Sequence, residues 1–349
     1  MRIILKQRTS GVVAAFMALF LASAGFISIK QGYITLSLSQ LQNIKIIFMS
    51  IILEALPFVL LGVFVSSVLQ IFVTEETVRR WTPKNPFLGI LFACLLGICF
   101  PLCECGMIPV VKRLIHKGMP ITVGVVFILV GPVLNPVVYI STRMAFQTYP
   151  AMAYARMGLA FAVAIVLGLL IHFLVKKNPL RLSLSVNHTA HSSHQQDGHH
   201  KLAHPLRSYE QLGAKLIAIF KHASVELFQM GTYLIIGSIL TALVQTSLSR
   251  DDLIGIGSQS FVSSFFMMGY AYILSLCSTS DAFVASSFAT TFSKSSLLAF
   301  LLFGPMIDLK VTLMLHSMFK TRFVLLLIAL VAGLVYAGTL AVHYLGLIV

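Results

Sequence analysis

The stretch FPLCECGMIPV, Phe100–Val110, decides how this chain is read. It holds two cysteines, a glutamate, a glycine and two prolines, and it follows FLGILFACLLGIC (87–99), which reads as a lipid-facing helix. A carboxylate and two thiols are costly at membrane depth unless protein or a water-filled cavity satisfies the groups around them. The stretch is either an ordinary loop or a broken, functional piece of membrane backbone.

Composition makes the membrane setting plain. Hydrophobic residues are 58% and charged residues 10% of the 349 residues, and the mean hydropathy is +0.92. Soluble domains are nearer 45–50% apolar and about 25% charged. The net charge of +14 sits in short segments between apolar runs, the positive-inside pattern of a polytopic membrane protein. With one Trp and no basic-aromatic tract, nucleic acid is excluded as a partner. The five cysteines, Cys94, Cys99, Cys103, Cys105 and Cys277, lie in apolar surroundings and are expected as free thiols. Cys94 and Cys99, on an apolar helix, are expected to be small packed residues.

Runs long enough to span a bilayer occur at about 11–29, 44–73, 119–140, 151–175, 212–248, 296–318 and 323–347. The first resembles a signal peptide, but its length favours an uncleaved anchor. Two further apolar segments, about 87–117 and 261–293, are interrupted by polar residues. Residues 176–210 are polar, basic and His-rich. They form a linker whose His188, His191, His194, His199, His200 and His204 could bind a metal or simply be solvated.

The parts on either side of the linker repeat. EALPFVLLGVFVSSVLQ (54–70) matches QMGTYLIIGSILTALVQ (229–245), Cys103 in PLCECG matches Cys277 in SLCSTS, and GPVLNP (131–136) matches GPMIDL (304–309), placing Asn135 on Asp308. Arg156 falls near Arg322. The expected domains are therefore an anchor and loop (1–43), repeat 1 (44–175), the linker (176–210) and repeat 2 (211–349). If the interrupted segments are re-entrant hairpins, 18 Lys and Arg lie inside and 6 outside; nine full spans would give 11 and 13. The positive-inside rule selects the hairpins. The expected fold is all-α, an N-terminal helix plus two inverted repeats of about three spans and one broken hairpin each.

The two hairpin tips would then meet near the midplane, with Cys103, Glu104, Cys105, Gly106 and Pro109 on one wall and Cys277, Ser278, Ser280 and Asp281 on the other. Glycine permits close backbone approach and proline frees a carbonyl. Asn135 and Asp308 are expected near the same axis. Of the eleven acids, Glu54, Glu104, Glu226, Asp281 and Asp308 sit in apolar segments. Glu104, Asp281 and Asp308, with Lys310, are candidates for proton coupling; the alternative for each acid is a structural pair with Arg156 or Lys310. Asp308 and Lys310, two apart, would not face each other on a continuous helix, though a break at Gly304–Pro305 could change that. Thiolates suit soft ions, trivalent arsenic and copper(I) among them, and zinc.

PLCECGMIPVVKRLIHKGMP followed by GPVLNPVV, with LCSTSDAFVA and GPMIDLK in the second half, resembles the bacterial predicted-permease family that includes the organoarsenical efflux permeases. The resemblance covers the chain from about residue 45 onward. It implies a multi-pass inner-membrane permease that exports its cargo, with Cys103, Cys105 and Cys277 as contacts for a trivalent organoarsenical. The His-rich linker points instead to a divalent metal. The chain carries no HExxH, GxSxG, Walker or CxxCH motif, so neither an enzyme nor a resident cofactor is expected. The expected partners are the bilayer and a small-molecule or ion substrate, with a second copy or an accessory membrane protein as further candidates. An assembly factor without transport is the remaining alternative.

Overall fold

The computed structural model describes residues 38–83, 85–100, 103–175, 179, 207–247 and 260–346. The expected anchor helix at 11–29 and the six linker histidines lie outside them.

Every described element is helical, apart from one isolated bridge residue. The first part of the chain forms α1 (Leu38–Phe72), α2 (Glu75–Trp81), α3 (Pro86–Cys99), α4 (Glu104–His116), α5 (Ile121–Val130), α6 (Pro136–Ala145) and α7 (Ala151–Leu174). After the linker come α8 (Arg207–Ser247), α9 (Ser260–Leu274), α10 (Asp281–Ser286), α11 (Lys294–Met306), α12 (Leu309–Met318) and α13 (Thr321–Tyr344). Among the described residues the first helix begins at 38, and residues 207–210 of the linker are helical.

Five segments are long and apolar enough to cross a membrane: Gln40–Gln70, Ala151–Leu174, Ala223–Leu243, Lys294–Met318 and Thr321–Tyr344. A sixth is conceivable only if α2 and α3, bent by 105°, are counted together. The structure therefore does not hold nine full spans among the described residues. The run expected at 119–140 is split into α5 and α6, each too short to cross alone.

Local sequence explains the breaks. Phe100 is extended because Pro101 follows it, which ends α3. Asn135 caps α6 by accepting from the Val137 N–H at 2.9 Å, with Pro136 in the first turn. Asp308 caps α12 by accepting from the Val311 N–H at 2.6 Å. In the first half Gly131 and Pro132 lie in the break itself. In the second the helix runs through Gly304 and Pro305 and breaks only at Ile307, a correction to the expected position.

Helix lengths recur along the chain. α5 and α11 begin 173 residues apart, as do α6 and α12, which are ten residues each. α7 and α13 are both 24 residues long and begin 170 apart. At that spacing Arg156 corresponds to Leu326, and Arg322 is exposed while Arg156 is fully buried, so the expected Arg156–Arg322 match does not hold. Packing recurs too: α3 on α5 and α9 on α11, α5 on α7 and α11 on α13, α4 on α12 and α10 on α6. Across the halves α1 packs on α8, α5 on α11 and α7 on α13.

The core lies around α4 and α11. Every residue of α4 from Glu104 to Val111 is buried, as is every residue of α11 from Ser295 to Met306. α4 reaches its place because glycines thin the contact with α1. A Cβ on Gly62 would overlap the backbone of Gly106, and one on Gly106 would press on the Phe58 carbonyl. Gly62→Ala is expected to destabilise the protein by about 1–3 kcal/mol, the usual cost of overpacking where backbone must yield. A thermal melt in detergent that matches the wild type would show that α1 and α4 are not in this contact.

Candidate functional site

Cys103 and Cys277 hold the same local position in the two halves. The Cys103 carbonyl accepts from the Gly106 and Met107 N–H groups, both at 3.1 Å. The Cys277 carbonyl accepts from Ser280 at 3.1 Å and Asp281 at 3.0 Å. Each cysteine thus opens a helical turn at the broken point of its segment. Cys277 precedes α10 rather than lying on it, so Cys277 and Asp281 do not share a helical face. Both thiols are half-buried and outside any disulfide, and Cys105, two residues after Cys103, is buried.

Around them lies a charged group. Lys310 is within Coulombic reach of Cys105, Glu104 and Cys277, and of Cys103, and its Nζ lies 3.8 Å from Asp308 Oδ2. The helix break at Ile307 puts Asp308 at a cap and Lys310 in the first turn, which lets two residues that would diverge on a continuous helix pair. Glu104 is buried, and its Oε2 has no hydrogen-bond partner among the described residues. Pro109 inside α4 provides no N–H, which leaves the Cys105 carbonyl without its helical donor.

Two of the expected site residues have their side chains engaged away from the thiols. Asp281 takes Arg156 in a two-point contact, Nη2–Oδ2 at 2.7 Å and Nη1–Oδ1 at 3.2 Å. Arg156 also donates to Thr142 Oγ1 at 2.8 Å and to the Ser278 carbonyl at 3.3 Å. Asp281 therefore has both oxygens engaged and does not stand free opposite the thiols. Asn135 spends its side chain on the α6 cap. Ser280 Oγ lies 3.3 Å from Glu54 Oε1 and 3.2 Å from the Cys277 carbonyl, and Glu54 is exposed.

The second half's other break is fastened to this region. Ser275 adopts φ 47°, uncommon for a residue other than glycine. Its hydroxyl accepts from the Leu309 N–H at 3.2 Å, tying the 275–280 turn to the start of α12. Gly237 on α8 packs against Lys310, as Gly62 on α1 packs against Gly106.

A second ion pair, of buried Glu226 with half-buried Arg113, was not legible in the sequence. Glu226 Oε2 accepts from Ser66 Oγ at 2.9 Å and lies 3.5 Å from Arg113 Nη2. The expected partners for this acid were Arg156 and Lys310; neither reaches it, and neither reaches Glu54. Arg113 carries no sequence signal beyond being a cation two turns below Gly106. Cys94 is buried as expected, whereas Cys99 is exposed on the outer face of α3.

A polytopic, all-helical bacterial membrane protein with broken helices around buried charge belongs to the transporters. The family described as predicted permease matches residues 40–344, and the chain belongs to it. It is 44% identical over 304 residues to the UPF0718 protein YcgR of Bacillus subtilis (strain 168), covering 87% of this chain and 98% of that one. It is 38% identical over 279 residues to the putative two-component membrane permease complex subunit of Streptococcus mutans serotype c (strain ATCC 700610 / UA159), covering 80% and 88%. No solved structure matches the chain. The protein is thus a multi-pass membrane permease for a small solute, and not an enzyme.

Proposed function

We propose that this permease exports a small soft or metal-containing solute, of the trivalent organoarsenical kind, through a midplane site between two inverted repeats. The observation that carries the reading is the gathering of Cys103, Glu104 and Cys105 with Cys277, Asp308 and Lys310 where the helices of both halves break. Thiols from two directions suit a soft centre. With Asp281 committed to Arg156, Glu104 becomes the coupling carboxylate, beside the Asp308–Lys310 pair.

Several contacts support the repeat architecture. Lys117 Nζ donates to the carbonyls of Leu69, Gln70 and Val73, so the segment that leaves the end of α1 returns to that same end at the close of α4. Gly106 rests on Gly62, about ten residues before the end of α1; at ~1.5 Å per residue that is ~15 Å deep, half of a ~30 Å core. Gly237 is also about ten residues from the end of α8. The corresponding helices α7 and α13 run antiparallel: Gly338 near the end of α13 meets Leu159 near the start of α7, and the Lys320 N–H donates to the Pro179 carbonyl at the opposite end.

Two ion pairs cross between the halves, Arg113–Glu226 toward the end of α1 and Arg156–Asp281 toward the start of α7. In an alternating mechanism they close the thiol site on its two sides in turn.

Everted membrane vesicles holding the protein are expected to accumulate a trivalent organoarsenical when energised. Vesicles that move neither organoarsenicals nor other thiol-seeking solutes would remove the cargo assignment. The architecture has a separate test. A His116→Cys variant, at the exposed end of α4, should react with an impermeant maleimide only from the cytoplasmic side. Labelling from outside intact cells, above the native thiols, would make the segment a full span. One relative is described as a complex subunit, which makes an accessory membrane protein the partner to look for.

A further inference from the structure

Beside the last two turns of α1 lies an apolar cavity of about 270 Å³. Val65, Leu69, Phe92, Leu96, Val110 and Phe127 line it, from α1, α3, α4 and α5. The short helix α2 forms its lid, with Val78 facing in and Trp81 at the rim. At ~30 Å³ for one water-sized volume, the space holds roughly nine such volumes, enough for part of one acyl chain. An apolar chamber of this kind does not hold water, and left empty its walls lose their contacts.

A second, open and polar depression adjoins the cavity, and Thr82 lines both. Its other walls include Glu75, Glu76, Arg79 and Arg80. None of these four forms an ion pair within 4 Å among the described residues. The acids sit in the first turn of α2 and the arginines in the last, an order that suits the helix dipole and also sets both signs side by side. The Thr82 hydroxyl is spent on the Val78 carbonyl at 2.8 Å, so at the junction it offers no competing donor.

We propose that these adjoining chambers bind one phospholipid with a zwitterionic, primary-ammonium headgroup. One acyl chain enters the apolar cavity. Arg79 and Arg80 hold the phosphate, for which the guanidinium fork is suited, and Glu75 and Glu76 accept from the ammonium, which has three N–H donors. A purely anionic headgroup would leave the two glutamates facing negative charge, and a quaternary ammonium would offer them no donor. The lipid fills the gap under α2 that the short α3 and α4 leave beside α1. The site is independent of what the permease carries.

The full chain, reconstituted in nanodiscs with equal parts of phosphatidylethanolamine, phosphatidylcholine and phosphatidylglycerol, would be released and weighed by native mass spectrometry. One retained phosphatidylethanolamine, several-fold enriched, is expected. Leu96→Trp, which fills the cavity, should remove the retained lipid. Glu75→Gln/Glu76→Gln, on an exposed helix where folding is not at stake, should keep a lipid but lose the headgroup preference. The proposal is overturned if no lipid is retained, if phosphatidylglycerol is preferred, or if the double glutamine variant keeps the wild-type preference. It is equally overturned if Leu96→Trp stops export while lipid retention is unchanged, because the cavity would then be a path for the cargo.

Discussion

Arg156→Met should lower the stability of the permease by about 3–5 kcal/mol, the cost of removing one partner from a buried ion pair. Arg156 is fully buried, and Asp281 is 2% exposed. Without the guanidinium, the Asp281 carboxylate keeps only the donors of its own turn. Thr142 and the Ser278 carbonyl lose a partner at the same time. The second member of the series is Arg156→Met/Asp281→Asn, which removes both charges. It should recover much of the loss, since replacing both members of a buried pair is far less costly than breaking it. Thermal melting of the detergent-solubilised protein reads both. A single variant as stable as the wild type, or a double variant no better than the single, would show that the pair is not formed.

Cys103→Ser should reduce export in everted vesicles to the background of empty membranes while leaving the melting temperature near that of the wild type. Serine keeps the size and the turn, because the turn is made by the Cys103 carbonyl and not by its sulfur. What it removes is the polarisable thiolate that a soft centre requires. Cys277→Ser should act in the same direction, and Cys99→Ser, on the outer face of α3, should leave transport intact. Normal export by the Cys103→Ser protein would detach the thiols from the cargo, whatever becomes of the fold.

Cys103 and Cys277 could be matched from the sequence, and in the structure they share one backbone feature. At both Cys103 and Cys277 a carbonyl gathers the N–H groups three and four residues on, and the flanking residues are small or polar enough to allow it. The caps at Asn135 and Asp308 were not read from the sequence, which placed both residues at the central axis, although each is a short side-chain acceptor just before a helix start. What could not be read was the partner of each buried charge. Arg156 and Lys310 were both available to several acids, and the choice depends on which helices touch. Glu226 meets Arg113 because α1 brings α4 and α8 together, and no spacing within one half encodes that. The Arg156–Arg322 match failed because α7 and α13 align 170 residues apart, a register that apolar runs leave open.

The two ion pairs that join the halves share a polarity. Arg113 and Arg156 come from the first half, and Glu226 and Asp281 from the second. Two copies of the first half brought together would face arginine with no carboxylate, and two copies of the second would bury uncompensated acids. The Asp308–Lys310 pair is closed within the second half, but these four charges are met only across the two halves. Without the second half, Arg113 and Arg156 would lack these carboxylates. The signs of these four residues thus favour the joining of unlike parts over the joining of two like ones.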